Sequence, residues 1–393
     1  MAEKTGSELR RTNLSAVLTL VHSRGVVTRA EITRETGLNR STVGALVGEL
    51  VELRLVRESE DAAHHVGRPS LLIEPERRTV ALSVHATPDA VTIGLVDLGG
   101  HVIKRIRCGT VRVPRPEEVV NIVTAVVAGM RTELDRSYST VGVGLAVPGP
   151  RHSVAGVPDA APDVDWQAAP LAERLERALG LPVFAAGDAV VGALAESTFG
   201  AARGMDDLVF VTGGPAGVTA AVIGGGTLLT GANGSAGAVG HLLVTPGGAL
   251  CPCGSRGCLD TELSEEALLE ALGATAGADL ATVLGSRRGD PVARAVVHRG
   301  LDHLAVAVRT VVNLVDPQLV VLGGYLAAMH DLAPDRLRTE LGRSVMRRAG
   351  QGAGLRITRA GLGDDLLVVG AAQLALSRVL RDPAQLPARA PAV

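Results

Sequence analysis

Residues 240–260 read Gly-His-Leu-Leu-Val-Thr-Pro-Gly-Gly-Ala-Leu-Cys-Pro-Cys-Gly-Ser-Arg-Gly-Cys-Leu-Asp. Three of the chain's four cysteines, Cys251, Cys253 and Cys258, sit in this stretch, while Cys108 stands alone. Cys-x-Cys followed, after four residues, by a third Cys is metal-ligand spacing. Gly254 and Gly257 give the backbone the freedom to wrap until three thiolates face one point. A structural zinc ion takes four N/S ligands in a tetrahedron. His241, ten residues before Cys251, is the candidate fourth. A closed Cys₃His site leaves no position for water, so it would be structural rather than catalytic; the alternative is three buried free cysteines. Bound zinc would tie the glycine-rich loop to the strand before it, and its binding energy would become local folding energy.

The composition around this cluster suits a folded α/β protein. The chain has 393 residues, room for two or three domains, and 46% of them are hydrophobic, so a large core is available and general disorder is not expected. Gly (48) and Pro (20) supply many tight turns. The N-terminal residues are polar and charged with no apolar run behind them, which predicts no secretory signal. No stretch of 18 apolar residues predicts a membrane span. One metal-type cysteine cluster fits a soluble cytoplasmic protein better than a disulfide scaffold. The formal net charge of -2 gives no global sign of nucleic acid, so charge has to be read locally.

The first 57 residues hold nine Lys/Arg against six Asp/Glu and read as three short helices. Leu9, Leu14, Val17, Leu18 and Val21 recur at helical spacing, and Gly25 closes that helix. Thr28, with Glu31 three residues on, has the form of a capping box, and Gly37 ends the second helix. Asn39 is the candidate N-cap of a third, with Val43, Leu46, Val47, Leu50 and Val51 as its apolar stripe. Two helices joined by a tight glycine-containing turn make a helix-turn-helix, whose second helix enters the DNA major groove. Arg29, Asn39, Arg40, Ser41 and Thr42 are the candidate DNA contacts there: Arg40 to guanine or phosphate, Ser41 and Thr42 to phosphate oxygens. A small helical bundle with a solvated polar cap is the alternative. Residues 55–73 have apolar ends around a polar middle and read as a β-hairpin, the wing. Arg68, between Gly67 and Pro69, is placed to enter a narrow minor groove, or is an ordinary loop arginine.

From about residue 78 the pattern turns to strands. Strands are predicted at 79–84, 91–97, 102–107, 141–147 and 182–185, with helices at 116–136, 170–179 and 189–199 between and after them. This βββαβαβ order is that of one lobe of the two-lobed actin-like nucleotide-binding fold. Strands at 208–212 and 218–223 open a second lobe, followed by helices near 264–272 and 290–314, a strand at 319–322 and a helix near 332–348. A last helix, around 369–380, is expected to pack back on the first lobe. The domains expected are thus a DNA-binding head at 1–76, a first lobe at 77–199 joined by helix 369–382, and a second lobe at 200–368 carrying the zinc loop.

These motifs carry a resemblance. GHLLV followed by CPCGSRGCLD is similar to the zinc signature of the ROK family (repressors, open reading frames, kinases), GHxxx then CxCGxxGCxE, apart from Asp260 where the family has Glu. The chain resembles that family over essentially its whole length, and its regulator branch most: RRTNLSAVL, SRGVVTRAEITRETGLNRSTVGALVGELVELRLV and GRPS fall where the regulators have their winged helix and its link to the body. The resemblance implies an α/β fold, a winged helix-turn-helix followed by a two-lobed sugar-kinase-like body. It also implies zinc on His241, Cys251, Cys253 and Cys258, and binding to double-stranded DNA.

The kinase machinery departs from the family. Family kinases begin the body with a strand and Asp-x-Gly-Gly-Thr, whose amides cradle phosphate; here His85 stands near the Asp position and Ala86, Thr87 and Pro88 replace the glycines. Pro215 interrupts the second phosphate loop, VTGGPAGVTAAVIGGG. A proline removes a donor and side chains block the approach of phosphate, so ATP and phosphoryl transfer are not expected and no catalytic residue is assigned. In the sugar site the family's Glu-Asn-Asp-Ala is Ala186-Gly187-Asp188-Ala189, and its Gly-Glu-x-Gly-His is Gly237-Ala238-Val239-Gly240-His241. Gly187, Asp188, His241 and Asp260 are the candidate ligand positions, with Asp188 alternatively a helix N-cap. The expectation is a homodimeric or homotetrameric regulator that answers to a sugar or sugar-derived effector. Its rivals are a regulator with a vestigial cleft, answering to zinc, a protein partner or a non-sugar metabolite, and an active sugar kinase with a DNA-binding head.

Overall fold

The computed structural model describes residues 2–60, 71–87, 89–148, 168–344 and 355–385. The N-terminal unit is α1 (Ala2–Arg24), β1 (Val27–Thr28), α2 (Arg29–Thr36), α3 (Arg40–Glu52), β2 (Val56–Glu60) and β3 (Leu71–Pro75). Its strands form one antiparallel sheet in the order β1-β3-β2. Local chemistry sets the helix ends. The Thr28 hydroxyl accepts from Glu31 N, and the Glu31 carboxylate accepts from Thr28 N, so two orphan donors at the start of α2 are satisfied reciprocally. Gly37, at φ +68°, closes α2 in the left-handed conformation. The Asn39 side chain caps α3 by accepting from Thr42 N. Val43, Leu46, Val47 and Leu50 are buried as the period predicts. Leu9 and Val51 are not: they are 61% and 38% exposed, and the core of α1 begins only at Leu14.

The body holds two five-stranded sheets with one connectivity used twice. The first is ordered β6-β5-β4-β7-β8, from β4 (Thr79–Thr87), β5 (Ala90–Asp97), β6 (Val102–Gly109), β7 (Ser139–Val147) and β8 (Val183–Gly187). The second is ordered β11-β10-β9-β12-β13, from β9 (Leu208–Gly214), β10 (Gly217–Gly224), β11 (Thr227–Leu228), β12 (Leu319–Gly323) and β13 (Arg356–Arg359). In each, the first strand pairs antiparallel with the second and parallel with the fourth.

Residues alternate across β4. Val80, Leu82, Val84 and Ala86 join the core shared with α4 (Pro116–Ser137) and α5 (Ala168–Leu179), while Ala81 faces the opposite side. That side is covered by α13 (Leu366–Arg381), which follows β13 and returns from the second lobe to the first, as the sequence predicts. The remaining helices are α6 (Asp188–Thr198), α7 (Leu259–Leu263), α8 (Glu265–Ala271), α9 (Leu280–Ser286), α10 (Pro291–Val315), α11 (Gly324–Leu332) and α12 (Pro334–Ser344). The helix expected near 264–272 is two, because Ser264 ends α7 and caps α8. The helix expected near 332–348 begins at Pro334, behind a separate helix, α11, that the period does not reveal. No described helix is long and apolar enough to cross a membrane.

Two glycines decide how α13 seats. A Cβ at Gly144 of β7 would lie 1.7 Å from the Ala371 carbonyl oxygen, and one at Gly370 would lie 2.1 Å from that of Val191 in α6. Backbone thus meets backbone at both contacts, with no flexible side chain available to move aside. Gly144→Ala is expected to destabilise the protein by about 3 kcal/mol or more by overpacking. Gly129→Ala, on an exposed turn of α4 with nothing near its Cβ, is expected to be neutral or up to about 1 kcal/mol stabilising. Thermal denaturation of both variants checks the pair, and equal melting temperatures would contradict the seating.

Candidate functional sites: a thiol cluster, an interlobe cleft and a helical head

The Cys251–Cys258 loop folds back on residues 242–245. Val244 N donates to Gly257 O at 2.9 Å, and Leu259 N to Leu242 O at 2.9 Å. Gly257, at φ +75°, has no room for a side chain: its Cβ would stand 1.9 Å from Thr245 O. This turn brings His241, Cys251, Cys253 and Cys258 together, with one ligand atom from each lying within 4.8 Å of all the others. Cys251 Sγ is 3.7 Å from His241 Nδ1, and Cys253 Sγ is 3.6 Å from Cys258 Sγ. Tetrahedral ligands at zinc–sulfur and zinc–nitrogen bond lengths stand about 3.8 Å (S to S) and about 3.5 Å (S to N) apart, so the donor set and its spacing fit a metal ion of zinc's kind. Without metal, burial and the neighbouring thiols push Cys258 up to about 12, and the backbone N–H of Ser255 pulls Cys253 down. Binding would remove these protons and close the loop. Cys253→Ser is therefore expected to lose bound metal and to lower the melting temperature; elemental analysis after dialysis, with thermal denaturation, reads both. A metal-free variant as stable as the wild type would contradict a structural role.

A cleft of about 1960 Å³ lies between the lobes. Two carboxylates meet the start of β10. Gly187 is the N-cap of α6 and Asp188 its first residue, so Asp188 is not itself the cap. Asp188 Oδ1 accepts from Ala189 N at 2.8 Å and from the Thr219 hydroxyl at 3.3 Å. Asp260 Oδ1 accepts from Val218 N at 2.8 Å, and its Oδ2 is 3.8 Å from His241 Nδ1. Burial raises the Asp260 pKa, with the Val218 N–H and the His241 charge acting in the other direction. Asp260 packs against Gly217 and Gly240, where any Cβ would fall within 2.7 Å of its carboxylate. Asp260 and His241 line the cleft, and Asp188 lies beside Gly214 of its lining. Thr219, which the sequence reading missed, lies on the same strand as Val218. Its only sequence signal is a polar residue inside an otherwise apolar strand.

The other cleft walls are acidic. Glu265, Glu266, Glu270 and Asp279 line it from the second lobe, together with Asp260. The described arginines that line it, Arg107 and Arg359, are already paired with Asp89 and Asp331. Burial pushes His85 down to about 4, against a smaller opposing pull from Asp89, so the imidazole is neutral at pH 7. An unfolded-state histidine has a pKa near 6.5. The unfolded chain therefore takes up this proton first, and the His85 contribution to stability is intact above pH 6.5 and lost as pH falls toward 4. His85→Gln is expected to flatten the pH dependence of stability by up to one proton between those limits, as denaturant titrations would read; an unchanged slope would contradict the neutral ring.

In the head, Arg40 and Ser41 are exposed at the start of α3, and Thr42 is half-buried. The Asn39 carboxamide oxygen is committed to its cap, accepting from Thr42 N and from the Ser41 hydroxyl. Arg29 pairs with Glu58 of β2 at 2.5 Å. Arg68, the expected wing contact, lies outside the described residues.

Comparison with known proteins adds three findings. The ROK family matches residues 82–378. A xylose repressor of Caldicellulosiruptor bescii is 25% identical over 95% of this chain and 98% of its own length, whereas a glucokinase of Thermotoga maritima is 28% identical over 68% of this chain and 88% of its own. The crystal structure of a ROK family transcriptional regulator, a homologue of the Escherichia coli Mlc protein, superposes with a TM-score of 0.76 at 23% identity, covering 95% of this chain and 97% of that one.

Proposed function

The chain belongs to the ROK family, and from that premise we propose that it is a sequence-specific DNA-binding transcriptional regulator, a repressor, without kinase activity. The observation that carries this reading is the N-terminal unit: two short capped helices, α2 and α3, joined across Gly37, with a three-stranded sheet beside them. It has the form of a winged helix-turn-helix whose second helix presents Arg40 and Ser41. Similarity over 95% of the chain to a repressor, against 68% to a kinase, agrees with it. Arg40 would meet a base or phosphate, Ser41 and Thr42 phosphate oxygens, and Arg29 and Arg68 the flanking backbone and minor groove. Asn39 acts in this reading through the cap that sets the start of α3.

The cleft argues against ATP. Phosphoryl transfer needs its charge neutralised. Here a neutral His85 stands where family kinases carry a carboxylate, Pro215 interrupts the second loop, and the lining arginines are spent on aspartates. Zn²⁺ on His241, Cys251, Cys253 and Cys258 would be structural, its four positions filled by protein. The domains would be a head at 1–76, a first lobe at 77–199 completed by 369–382, and a second lobe at 200–368, in a cytoplasmic homodimer or homotetramer. A sugar or sugar-derived effector would sit against Asp188, Asp260 and His241. A second reading is favoured by Gly187 and Ala238, which offer no polar side chain, and by Asp260, which spends one oxygen on Val218 N. In it the sugar cleft is vestigial and the regulator answers to zinc, a protein partner or a non-sugar metabolite.

Arg40→Ala is expected to weaken operator binding by about 1–3 kcal/mol, or about 5- to 150-fold. Fluorescence anisotropy on an operator fragment reads it, and unchanged affinity would remove Arg40 from the interface. A coupled assay with ATP across hexoses and N-acetylhexosamines is expected to stay at background. Turnover of any one of them would overturn the non-kinase reading.

A further inference from the structure

The chain crosses between the lobes twice, once from α6 to β9 through residues 199–207 and once from β13 to α13 through residues 360–365. One side chain holds both crossings. Glu196, fully buried near the end of α6, accepts from Ala201 N at 2.6 Å on the first crossing. Its other oxygen accepts from Gly361 N at 2.8 Å and Leu362 N at 3.0 Å on the second. Three backbone N–H groups satisfy this buried carboxylate and fix the two strands of the hinge to each other.

Phe199 stands between Glu196 and Ala201, on the same hinge, and its ring meets the head. It lies edge-on to His22 of α1, centroids 5.0 Å apart at 64°. It also fills the space over Gly100, where a Cβ would stand 2.5 Å from the ring. His22 is itself held from two further sides: Nδ1 bonds the Leu98 carbonyl oxygen of the β5–β6 turn, and Nε2 meets the Gln373 carboxamide of α13 at 2.9 Å. Burial lowers the His22 pKa, so the ring is neutral, with Nδ1–H donating to Leu98 O. Nε2 then carries no proton for the Gln373 Oε1 that faces it, and it accepts a hydrogen bond only with the carboxamide turned by 180°. This orientation also gives the otherwise unpaired Gln373 nitrogen a partner. At their far ends, α13 reaches the cleft at Leu366, and α6 begins at Asp188, beside Gly214 of the cleft lining.

We propose that the Phe199–His22 contact is the coupling between the interlobe hinge and the DNA-binding head, so that a change in lobe closure shifts α1. This rests on the regulator reading above for its purpose, though not for its geometry. A ligand that alters closure would bias which head positions are populated, which is how a cleft could govern DNA fit.

Hydrogen exchange of the full-length protein, read by mass spectrometry without DNA or ligand, tests the coupling. Glu196→Gln cannot accept all three bonds as the carboxylate does. It is expected to speed exchange several-fold in peptides spanning 199–206 and 360–366 and also in 14–25, which supplies none of the three N–H groups bonded to Glu196, while 293–312 of α10 stays unchanged. A loosened hinge with wild-type exchange at 14–25 would overturn the proposal. Phe199→Leu leaves the carboxylate's bonds in place and serves if Glu196→Gln does not fold. It is expected to speed exchange at 14–25 alone, and no change there would equally overturn the proposal. In the Phe199→Leu background, adding Glu196→Gln should have no further effect on 14–25; additive effects would mean that Phe199 is packing only. With no DNA in the experiment, its failure leaves the DNA-binding reading standing, and a failure to bind DNA leaves the coupling as measured.

Discussion

The close seat of α13 on β7 and α6, backbone against backbone at Gly144 and Gly370, is the constraint on which the other parts depend. The first sheet is apolar on both faces. Without α13 its second face, carrying Ala81 and Val96, would be open to water. The same helix lays Ala372, Ala375, Leu376 and Val379 into one core with Leu14, Val17, Leu18 and Val21 of α1, and Val369 and Ala371 into another with α6 and the second sheet. Head, first lobe and second lobe therefore share one helix as a common wall. The head is not a bead on a linker: its core runs on into the body, pinned by Ser15 donating to Leu380 O at 2.6 Å and by the buried His22.

That arrangement gives the cleft its setting. The lobes are joined by two chain crossings under this common helix, and Glu196 bonds both crossings. The two arginines on the cleft's described walls are paired with Asp89 and Asp331, and the charged side chains on the second-lobe side are mostly carboxylates. Asp188 and Asp260 each accept from a neighbouring backbone N–H, of Ala189 and Val218 respectively. The thiol cluster lies beside Asp260, and His241 touches both, so metal in the loop would fix one wall of the cleft.

Much of this was legible in the sequence, and for definite reasons. Capping residues act over three positions, so Thr28–Glu31, Gly37 and Asn39 could be placed without tertiary knowledge, and each stands where expected. The cysteine loop was legible because metal spacing is local too. Strand and helix order in the first lobe followed from apolar period. What failed were features set by distant partners. Leu9 and Val51 match a helical stripe but have no neighbour to bury them. The helix α11 is short and was absorbed into its surroundings, and β13 exists because β12 pairs with it in parallel. The roles of Glu196, Phe199 and His22 depend on contacts across 76 to 351 positions of sequence, and no local pattern announces them. Of the two readings of Asp188, the cap falls to Gly187.

The central claim is that this body carries a working DNA-reading head. Selection of fragments from the organism's own genome by the purified full-length protein, at physiological salt, tests it most directly. The account predicts enrichment of a small set of fragments sharing a repeated site that matches the symmetry of an oligomer. Uniform, weak retention of all fragments, lost as salt is raised, would be the behaviour of a non-specific polyelectrolyte contact and would contradict it.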